Sequence, residues 1–295
     1  MTDIHVPIQL PEFDLPEDKL AQDAEAPVER ESSFASRALP KILAPLIVGI
    51  LFVGGWEAAV RAYKIPYYVL PGPFTIVETL ISDWGVLWAS LLVTLTVTFQ
   101  ALFLAAFFGA SLAILFSQSK LIEMSFFPYA VILQVTPIVA IAPLIIIWAD
   151  DVRIALLICA WIVAFFPILS NTTLGLHSAD HNLKNLFQLY RATRWQTLRF
   201  LKLPAAMPYF LAGLKISGGL SLIGAVVAEF VAGTGGRGSG LAYRILEAGF
   251  QLKIPRLFAA LLLISLTGVV IFLIMSLISH LLLRTWHESA IRTEN

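Results

Sequence analysis

Long apolar stretches separated by shorter polar segments make up most of this chain. An α-helix of about 20 apolar residues is long enough to cross the hydrocarbon core of a bilayer. Six stretches reach this length, so the pattern predicts an all-α membrane protein with about six transmembrane helices. The predicted spans are residues 42–60, 86–116, 125–148, 154–174, 205–231 and 257–283.

Three prolines interrupt the third predicted span: Pro128, Pro137 and Pro143. Each lacks a backbone donor and kinks a helix, although proline is also common in membrane helices generally. Non-helical backbone at membrane depth occurs only where protein or a water-filled cavity satisfies its polar groups. We therefore expect this span to lie inside the bundle beside a passage, with Gln134, Thr136 and Pro137 as candidate lining residues.

The fifth predicted span contains two charged residues, Lys215 and Glu229. They are separated by about 21 Å along a helix, so they cannot pair. We expect Lys215 to extend toward the cytoplasmic headgroups. Glu229 lies near the outer end, where it either lines the vestibule through which solute enters or is simply exposed at the interface. Ser221, between them, is a further candidate for the passage.

Both ends of the chain are polar. Residues 1–40 contain nine acidic side chains, three basic ones and five prolines, which predicts a disordered acidic cytoplasmic tail. We expect no cleavable signal peptide, because no short apolar core follows a basic start. Arg37 and Lys41 precede the first span and favour a cytoplasmic amino terminus. Residues 287–295 are predicted to be a second cytoplasmic tail, which leaves 41–286 as the transmembrane domain.

Composition supports the membrane assignment and excludes other classes. Hydrophobic residues make up 58% of the chain and charged residues 14%, which is atypical of a soluble domain. The net charge is zero, and outside the polar segment at residues 182–204 no basic stretch is interleaved with aromatic residues in a base-stacking pattern, so we expect no nucleic-acid partner. Cys159 lies in an apolar run and is expected to be a small core residue. Asp150 and Asp151 precede the fourth span, where Asp151 is expected to cap the helix.

The sequence offers little support for a metal, nucleotide or catalytic site. His177 and His181 have helical spacing for one metal ion, but the pair lacks the glutamate of H-E-x-x-H, and Asp180 or Asn182 there can simply cap a helix. Residues 233–238 fit G-x-G-x-x-G but follow a membrane helix, and the lysine of a P-loop is missing. We expect a turn there, no metal, no cofactor and no enzymatic activity.

The polar segment at residues 182–204 carries five of the chain's 20 Lys and Arg residues. Its other residues recur at the spacing of an amphipathic helix, and Pro204 marks the start of the next span. A basic amphipathic segment between two membrane spans has to face water, so we expect it to present a docking face. The basic residues are Lys184, Arg191, Arg194, Arg199 and Lys202, and the helix-spaced residues are Leu186, Leu189, Tyr190, Thr193, Thr197 and Phe200.

This segment resembles the cytoplasmic loop of the permease subunits of binding-protein-dependent ABC importers. Their motif is E-A-A, three residues, Gly, nine residues, then an apolar residue, any residue and Leu-Pro. With Leu203 and Pro204 as the anchor, E-A-A falls on residues 185–187, which are Asn-Leu-Phe, and the glycine falls on Arg191, a departure from the motif. Residues 192–196, 213–214 and 227–229 are most similar to the nitrate, sulfonate and taurine branch.

The resemblance implies the type I importer permease fold, with a cytoplasmic coupling helix between spans four and five inside a coupling loop at 178–204. It also implies a homodimer in the cell inner membrane, a cytoplasmic ABC ATPase subunit that hydrolyses the ATP, and a periplasmic or surface solute-binding protein. The residues it assigns to ATPase coupling are Asn185, Leu186, Leu189, Arg191, Ala192, Arg194, Trp195, Arg199 and Pro204.

The implied solute is small and polar, either nitrate-, sulfonate- or taurine-like or a thiamine-pyrimidine- or riboflavin-like compound. Two alternatives from other classes stay open. A proton-coupled secondary transporter would use Glu229 as its proton carrier, although the sequence has no clear inverted repeat. A non-transporting scaffold would use the polar segment only to recruit a soluble protein.

Overall fold

The computed structural model describes residues 34–233 and 238–284, with side chains from residue 43 onward. The described residues are helical, with no strand among them. The helices are α1 (Phe34–Ala62), α2 (Pro73–Ser82), α3 (Trp84–Gln118), α4 (Lys120–Val135), α5 (Ile138–Trp148), α6 (Val152–His177), α7 (His181–Leu189), α8 (Arg194–Thr197), a π-helix (Leu198–Lys202), α9 (Leu203–Ala232), α10 (Leu241–Phe250) and α11 (Ile254–Leu283).

Five helical stretches of the described chain are long and apolar enough to cross a membrane, namely Leu43–Ala62, Trp84–Gln118, Val152–His177, Arg194–Ala232 and Ile254–Leu283. The bent pair α4 and α5 makes six if it forms one span. The all-α membrane fold is therefore confirmed. The helix α1 begins at Phe34, so residues 34–40 of the predicted tail are helical, while the remainder of that tail and residues 287–295 lie outside the described residues.

The third predicted span is not a continuous helix. Its two parts, α4 and α5, differ in direction by 100°. The break lies at Pro137, the residue before α5, because proline disfavours helical geometry in the preceding residue, and Thr136 is extended with φ −70° and ψ 123°. Pro128 and Pro143 lie inside α4 and α5 without ending either helix. Only one of the three prolines therefore breaks the span.

Contacts divide the chain into two units, residues 1–55 and 56–295, and the second contains the helical bundle. Its centre is the pair α6 and α9, against which α3 packs. Two glycines of α9 let the helices approach closely: a Cβ on Gly213 would lie 2.8 Å from the Pro167 carbonyl oxygen, and one on Gly224 would lie 2.8 Å from Ala160 Cα. Small residues at such contacts are typical of membrane helix packing.

The core of this unit is apolar, as the sequence pattern predicts. Phe116 of α3 and Ile168 and Leu169 of α6 are fully or almost fully buried in one cluster. Cys159 is buried in a second cluster, in agreement with its expected role as a small core residue. At the start of α6, the Asp151 carboxylate accepts a hydrogen bond from the Arg153 backbone N–H at 2.7 Å, which confirms the predicted cap.

Candidate functional site

The polar segment between α6 and α9 starts with a well-capped helix. One carboxylate oxygen of Asp180 accepts hydrogen bonds from the backbone N–H groups of Asn182 at 2.7 Å and Leu183 at 3.1 Å. These bonds satisfy two of the donors that a helix leaves free at its N-terminus. Of the two caps that the sequence allowed, Asp180 is the one used.

The end of α7 explains how the chain bends without the motif glycine. Arg191 has φ +51°, in the left-handed region that normally favours glycine. Its backbone N–H donates to the Gln188 carbonyl at 2.9 Å, and that of Ala192 donates to the Phe187 carbonyl at 2.9 Å. This pair of bonds is a Schellman motif with Arg191 at C′, the position where glycine is usual. In this chain, the position at which the family motif has glycine is therefore a left-handed helix end, and Arg191 adopts that conformation.

After this bend the chain turns back toward the membrane. Thr193 and Gln196 form a capping box, in which the Thr193 N–H donates to Gln196 Oε1 at 2.8 Å and the Gln196 N–H donates to Thr193 Oγ1 at 3.3 Å. The π-helix follows, with Leu198 and Leu201 buried, and it continues directly into α9. The helix-patterned segment 182–204 is thus two helices and a π-helix, not one continuous helix.

The loop presents four large apolar side chains to solvent. Leu189 is 80% exposed, Tyr190 81%, Trp195 66% and Phe200 64%. Two of them, Tyr190 and Phe200, also line a groove of about 320 Å³, together with Leu186, Phe187, Ala192 and Gln196. We call these exposed side chains and the groove the apolar face. Exposed apolar patches of this kind mark protein interaction sites.

The predicted coupling residues are distributed unevenly around this face. Leu186 and Ala192 line the groove, whereas Leu189 and Trp195 are exposed but are not among its lining residues. The remaining predicted residues lie around the loop: Asn185, Arg191 and Arg199 are exposed, Arg194 lines a different cavity, and Pro204 is half-buried in the first turn of α9. Tyr190 and Phe200 were expected only as helix-spaced residues, yet both belong to the face.

A second feature lies at the break between α4 and α5. A cavity of about 320 Å³ there brings together the predicted passage residues Gln134, Thr136 and Pro137. The Thr136 hydroxyl donates to the Ile132 carbonyl at 2.7 Å, and Gln134 is an exposed residue. The opposite wall comes from α6 and α9. The complete lining is Leu133, Gln134, Val135, Thr136, Pro137, Ile138, Ile162, Val163, Pro167 and Leu220.

The other two passage candidates lie elsewhere. Ser221 is fully buried and its hydroxyl donates to the Gly218 carbonyl at 2.9 Å. Glu229 is 3% exposed, and its carboxylate accepts hydrogen bonds from the Thr94 hydroxyl at 2.8 Å and the Ala242 N–H at 3.0 Å. The Glu229 carboxylate therefore joins α9 to α3 and to the start of α10, and in this structure it does not face an open vestibule.

The charge at Lys215 also has partners that the sequence did not suggest. Its ammonium group donates to the Ser276 hydroxyl at 3.1 Å and lies 4.3 Å from the centre of the Phe272 ring. Both partners belong to α11. Lys215 therefore joins two membrane helices, and its expected extension toward the headgroups stays a prediction.

Comparison with known proteins identifies the family. Residues 101–286 match the family described as "Binding-protein-dependent transport system inner membrane component". The chain is 31% identical to the riboflavin transport system permease protein RibX of Chloroflexus aurantiacus over 254 residues, which cover 85% of this chain and 92% of that protein. It is 30% identical to the formylaminopyrimidine transport permease protein ThiX of Halalkalibacterium halodurans over 242 residues, covering 82% and 95%.

Similarity extends to permeases named for other solutes and to a solved structure. The putative aliphatic sulfonates transport permease protein SsuC of Bacillus subtilis is 27% identical over 76% of this chain and 80% of its own length. The fold is similar to that in the crystal structure of an amino acid ABC transporter with histidines, with a TM-score of 0.57 and 18% identity over 70% of this chain and 96% of that one. The chain belongs to the family of inner membrane components of binding-protein-dependent transport systems, and is thus a permease of the ABC importer type.

Proposed function

We propose that this chain forms, as a dimer in the cell inner membrane, the passage of an ABC importer. A solute-binding protein delivers the solute from outside, and a separate cytoplasmic ATPase docks on the apolar face of the loop. One observation supports this proposal most strongly: the loop is held by helix caps and buried leucines, yet it exposes large apolar side chains to solvent. We assign its apolar contacts to the exposed Leu189 and Trp195, and its charged contacts to the exposed Arg191 and Arg199.

The loop is built to transmit movement to the bundle. The Lys202 ammonium donates to the Ser117 carbonyl at the end of α3, at 3.1 Å, and the buried Leu198 and Leu201 anchor the π-helix. The π-helix is continuous with α9, which touches the α6 backbone through Gly213. A displacement of the apolar face by the ATPase is therefore passed to α9, which carries Leu220 in the wall of the cavity at the break.

The lining of this cavity favours a neutral, hydrogen-bonding solute over a free anion. No charged side chain is among its lining residues. Lys215 precedes Leu220 by five residues, about 140° around α9, so it points away from the cavity, and Glu229 is held by Thr94. The amide of Gln134 can donate and accept hydrogen bonds. The relatives named for riboflavin and formylaminopyrimidine, at 31% and 30% identity, support a planar heterocyclic solute, in place of the anions suggested by the motif branch.

The test is uptake into proteoliposomes that contain the chain with its co-purified ATPase and binding protein. Radiolabelled riboflavin and nitrate serve as the heterocyclic and anionic probes. We expect ATP-dependent, uncoupler-resistant uptake of riboflavin in preference to nitrate. Uptake that collapses with an uncoupler and ignores ATP would support the proton-coupled alternative, and no flux of any solute would support the scaffold.

A pair of variants tests the solute site. Gln134→Leu is expected to raise KM about fivefold, the effect of one lost hydrogen bond of ~1 kcal/mol. Thr136→Val is the matched control, because the Thr136 hydroxyl already donates to the Ile132 carbonyl in the last turn of α4. Equal KM values for the two variants would contradict the role of the Gln134 amide, and preferential nitrate uptake would contradict the solute class without affecting the transport mechanism.

A further inference from the structure

A second cavity lies on the side of the loop that faces the bundle. Its volume is about 420 Å³, and it is bounded by the ends of α3 and α6, by α7 and α8, and by the π-helix. Three of its lining residues are cations, Lys184, Arg194 and Lys202, and none is acidic. We call this space the basic cavity. Its other polar lining residues include Ser117, His177 and Gln188.

The basic cavity holds more positive charge than its surroundings neutralise. Lys184 donates to the His177 carbonyl at 3.0 Å, and Lys202 donates to the Ser117 carbonyl at 3.1 Å. Each carbonyl lies at the C-terminus of a membrane helix, which carries about half a negative charge. Two helix ends therefore offset about one of the three positive charges. Among the described residues, no carboxylate forms an ion pair with any of these three cations.

Simple helix capping does not account for this arrangement. A lysine ammonium has three donors, and each of these two lysines uses one on a carbonyl. Lys184 and Lys202 are close enough for their like charges to interact unfavourably. Two carboxylates of this region have other partners: Asp180 accepts from the backbone N–H groups of Asn182 and Leu183, and Glu123 pairs with Lys120 at 3.3 Å. Lys184 and Lys202 line the cavity with donors to spare, which an anion bound there could use.

The position of the cavity indicates which anion it suits. Membrane helices α3 and α6 end at its edge, and the π-helix enters α9 from it, so the basic cavity lies at the level of the lipid headgroups. Basic pockets between membrane helices at this level bind anionic headgroups. We propose that the basic cavity binds a phosphate group, supplied by the headgroup of an anionic lipid or by free phosphate, and that the bound phosphate ties the loop to the bundle.

This proposal is separate from the docking of the ATPase. The phosphate would contact Lys184 and Lys202 on the inner side of the loop, whereas Leu189 and Trp195 are exposed on the apolar face. It also does not depend on which solute is transported. Phosphate bound in the basic cavity would hold the loop more firmly against the bundle, and this loop carries movement into α9. The transport activity of the importer would therefore depend on the anionic lipid around it.

Native mass spectrometry of the full-length chain, purified from membranes with its retained subunits, tests the proposal. The protein is titrated with phosphatidylglycerol and, separately, with phosphatidylcholine. We expect tighter binding of phosphatidylglycerol by the wild type. The double variant Lys184→Gln/Lys202→Gln should weaken it about 25-fold, at about fivefold per lysine near a membrane surface. Lys184→Arg/Lys202→Arg, which keeps both charges, should retain it.

The matched control is Lys120→Gln, a change of an exposed cation of the same surface that does not line the cavity. It should leave phosphatidylglycerol binding unchanged. Competition by excess inorganic phosphate would support the site and identify free phosphate as a source, whereas resistance to it would identify the lipid.

Three results would overturn the proposal. The first is equal binding of phosphatidylglycerol and phosphatidylcholine by the wild type. The second is a loss of phosphatidylglycerol binding in Lys120→Gln as large as that in the double glutamine variant. The third is unchanged phosphatidylglycerol binding in the double glutamine variant. If that variant does not fold, the wild type alone decides: phosphatidylglycerol binding that does not weaken with rising ionic strength would contradict a charged site.

Discussion

Replacement of Arg191 by glycine tests the explanation given for the bend of the coupling loop. Arg191 has φ +51°, a conformation that costs an L-residue roughly 1–2 kcal/mol and glycine almost nothing. Its side chain is exposed. The substitution therefore removes backbone strain without removing a buried contact, and it restores the residue type of the family motif.

The expected magnitude follows from two opposing effects. Glycine relieves about 1 kcal/mol of strain at this position, while the extra freedom of the unfolded chain costs about 0.4–1 kcal/mol. The net change for Arg191→Gly is therefore close to zero or slightly stabilising. Tyr190→Gly is the matched control, because Tyr190 is 81% exposed and has φ −78°. Glycine at this position increases the freedom of the unfolded chain but has no backbone strain to relieve.

Hydrogen exchange of the amides of Arg191 and Ala192 measures this difference, because both amides donate within the Schellman motif at 2.9 Å. Tyr190→Gly should lower their protection about fivefold, the equivalent of ~1 kcal/mol. Arg191→Gly should leave protection equal to that of the wild type or higher. An equal loss of protection in both variants would refute the left-handed helix end as the role of this position.

Three further predictions follow from the structure. Trp195→Asp should abolish ATP-driven uptake without reducing the amount of protein in the membrane, and unchanged uptake would remove Trp195 from the docking face. Gly213→Ala should lower the free energy of unfolding of the purified protein by about 1–3 kcal/mol, because the added methyl group overpacks the contact. Gly219→Ala is the control and should leave that free energy unchanged, because nothing lies within 4 Å of an added Cβ there. Equal effects of the two substitutions would contradict the close approach of α6 and α9. Asp180→Ala should weaken amide protection in the first turn of α7 by ~1 kcal/mol, and unchanged protection there would contradict the cap.

The sequence was sufficient for features that depend on local composition. The apolar stretches predict the membrane helices because their length and hydrophobicity are set within each segment. The caps at Asp151 and Asp180 were predictable for the same reason, since each accepts from backbone donors two or three residues away.

Features that depend on distant parts of the chain were not predictable. Glu229 finds Thr94 across 135 positions and Lys215 finds Ser276 across 61, and no local pattern indicates either pair. The left-handed end of α7 was also missed, because arginine is not a residue type that signals this conformation. The three prolines of the third span suggested a break, but each restricts its preceding residue in the same way, so the sequence alone did not indicate that the break lies at Pro137.

The central claim is that the loop docks on a cytoplasmic ATPase. The most direct test is to measure on which side of the membrane residue 189 lies and whether it contacts the ATPase. Cys159 is the single cysteine of the chain and is buried, so a new exposed cysteine gives a clean signal. Leu189→Cys should react with a membrane-impermeant maleimide only in inside-out vesicles and should crosslink to the co-purified ATPase. Phe250→Cys, exposed at the end of α10, should react from the opposite side. Labelling of Leu189→Cys from outside, or its failure to crosslink to any ATPase, would contradict the account.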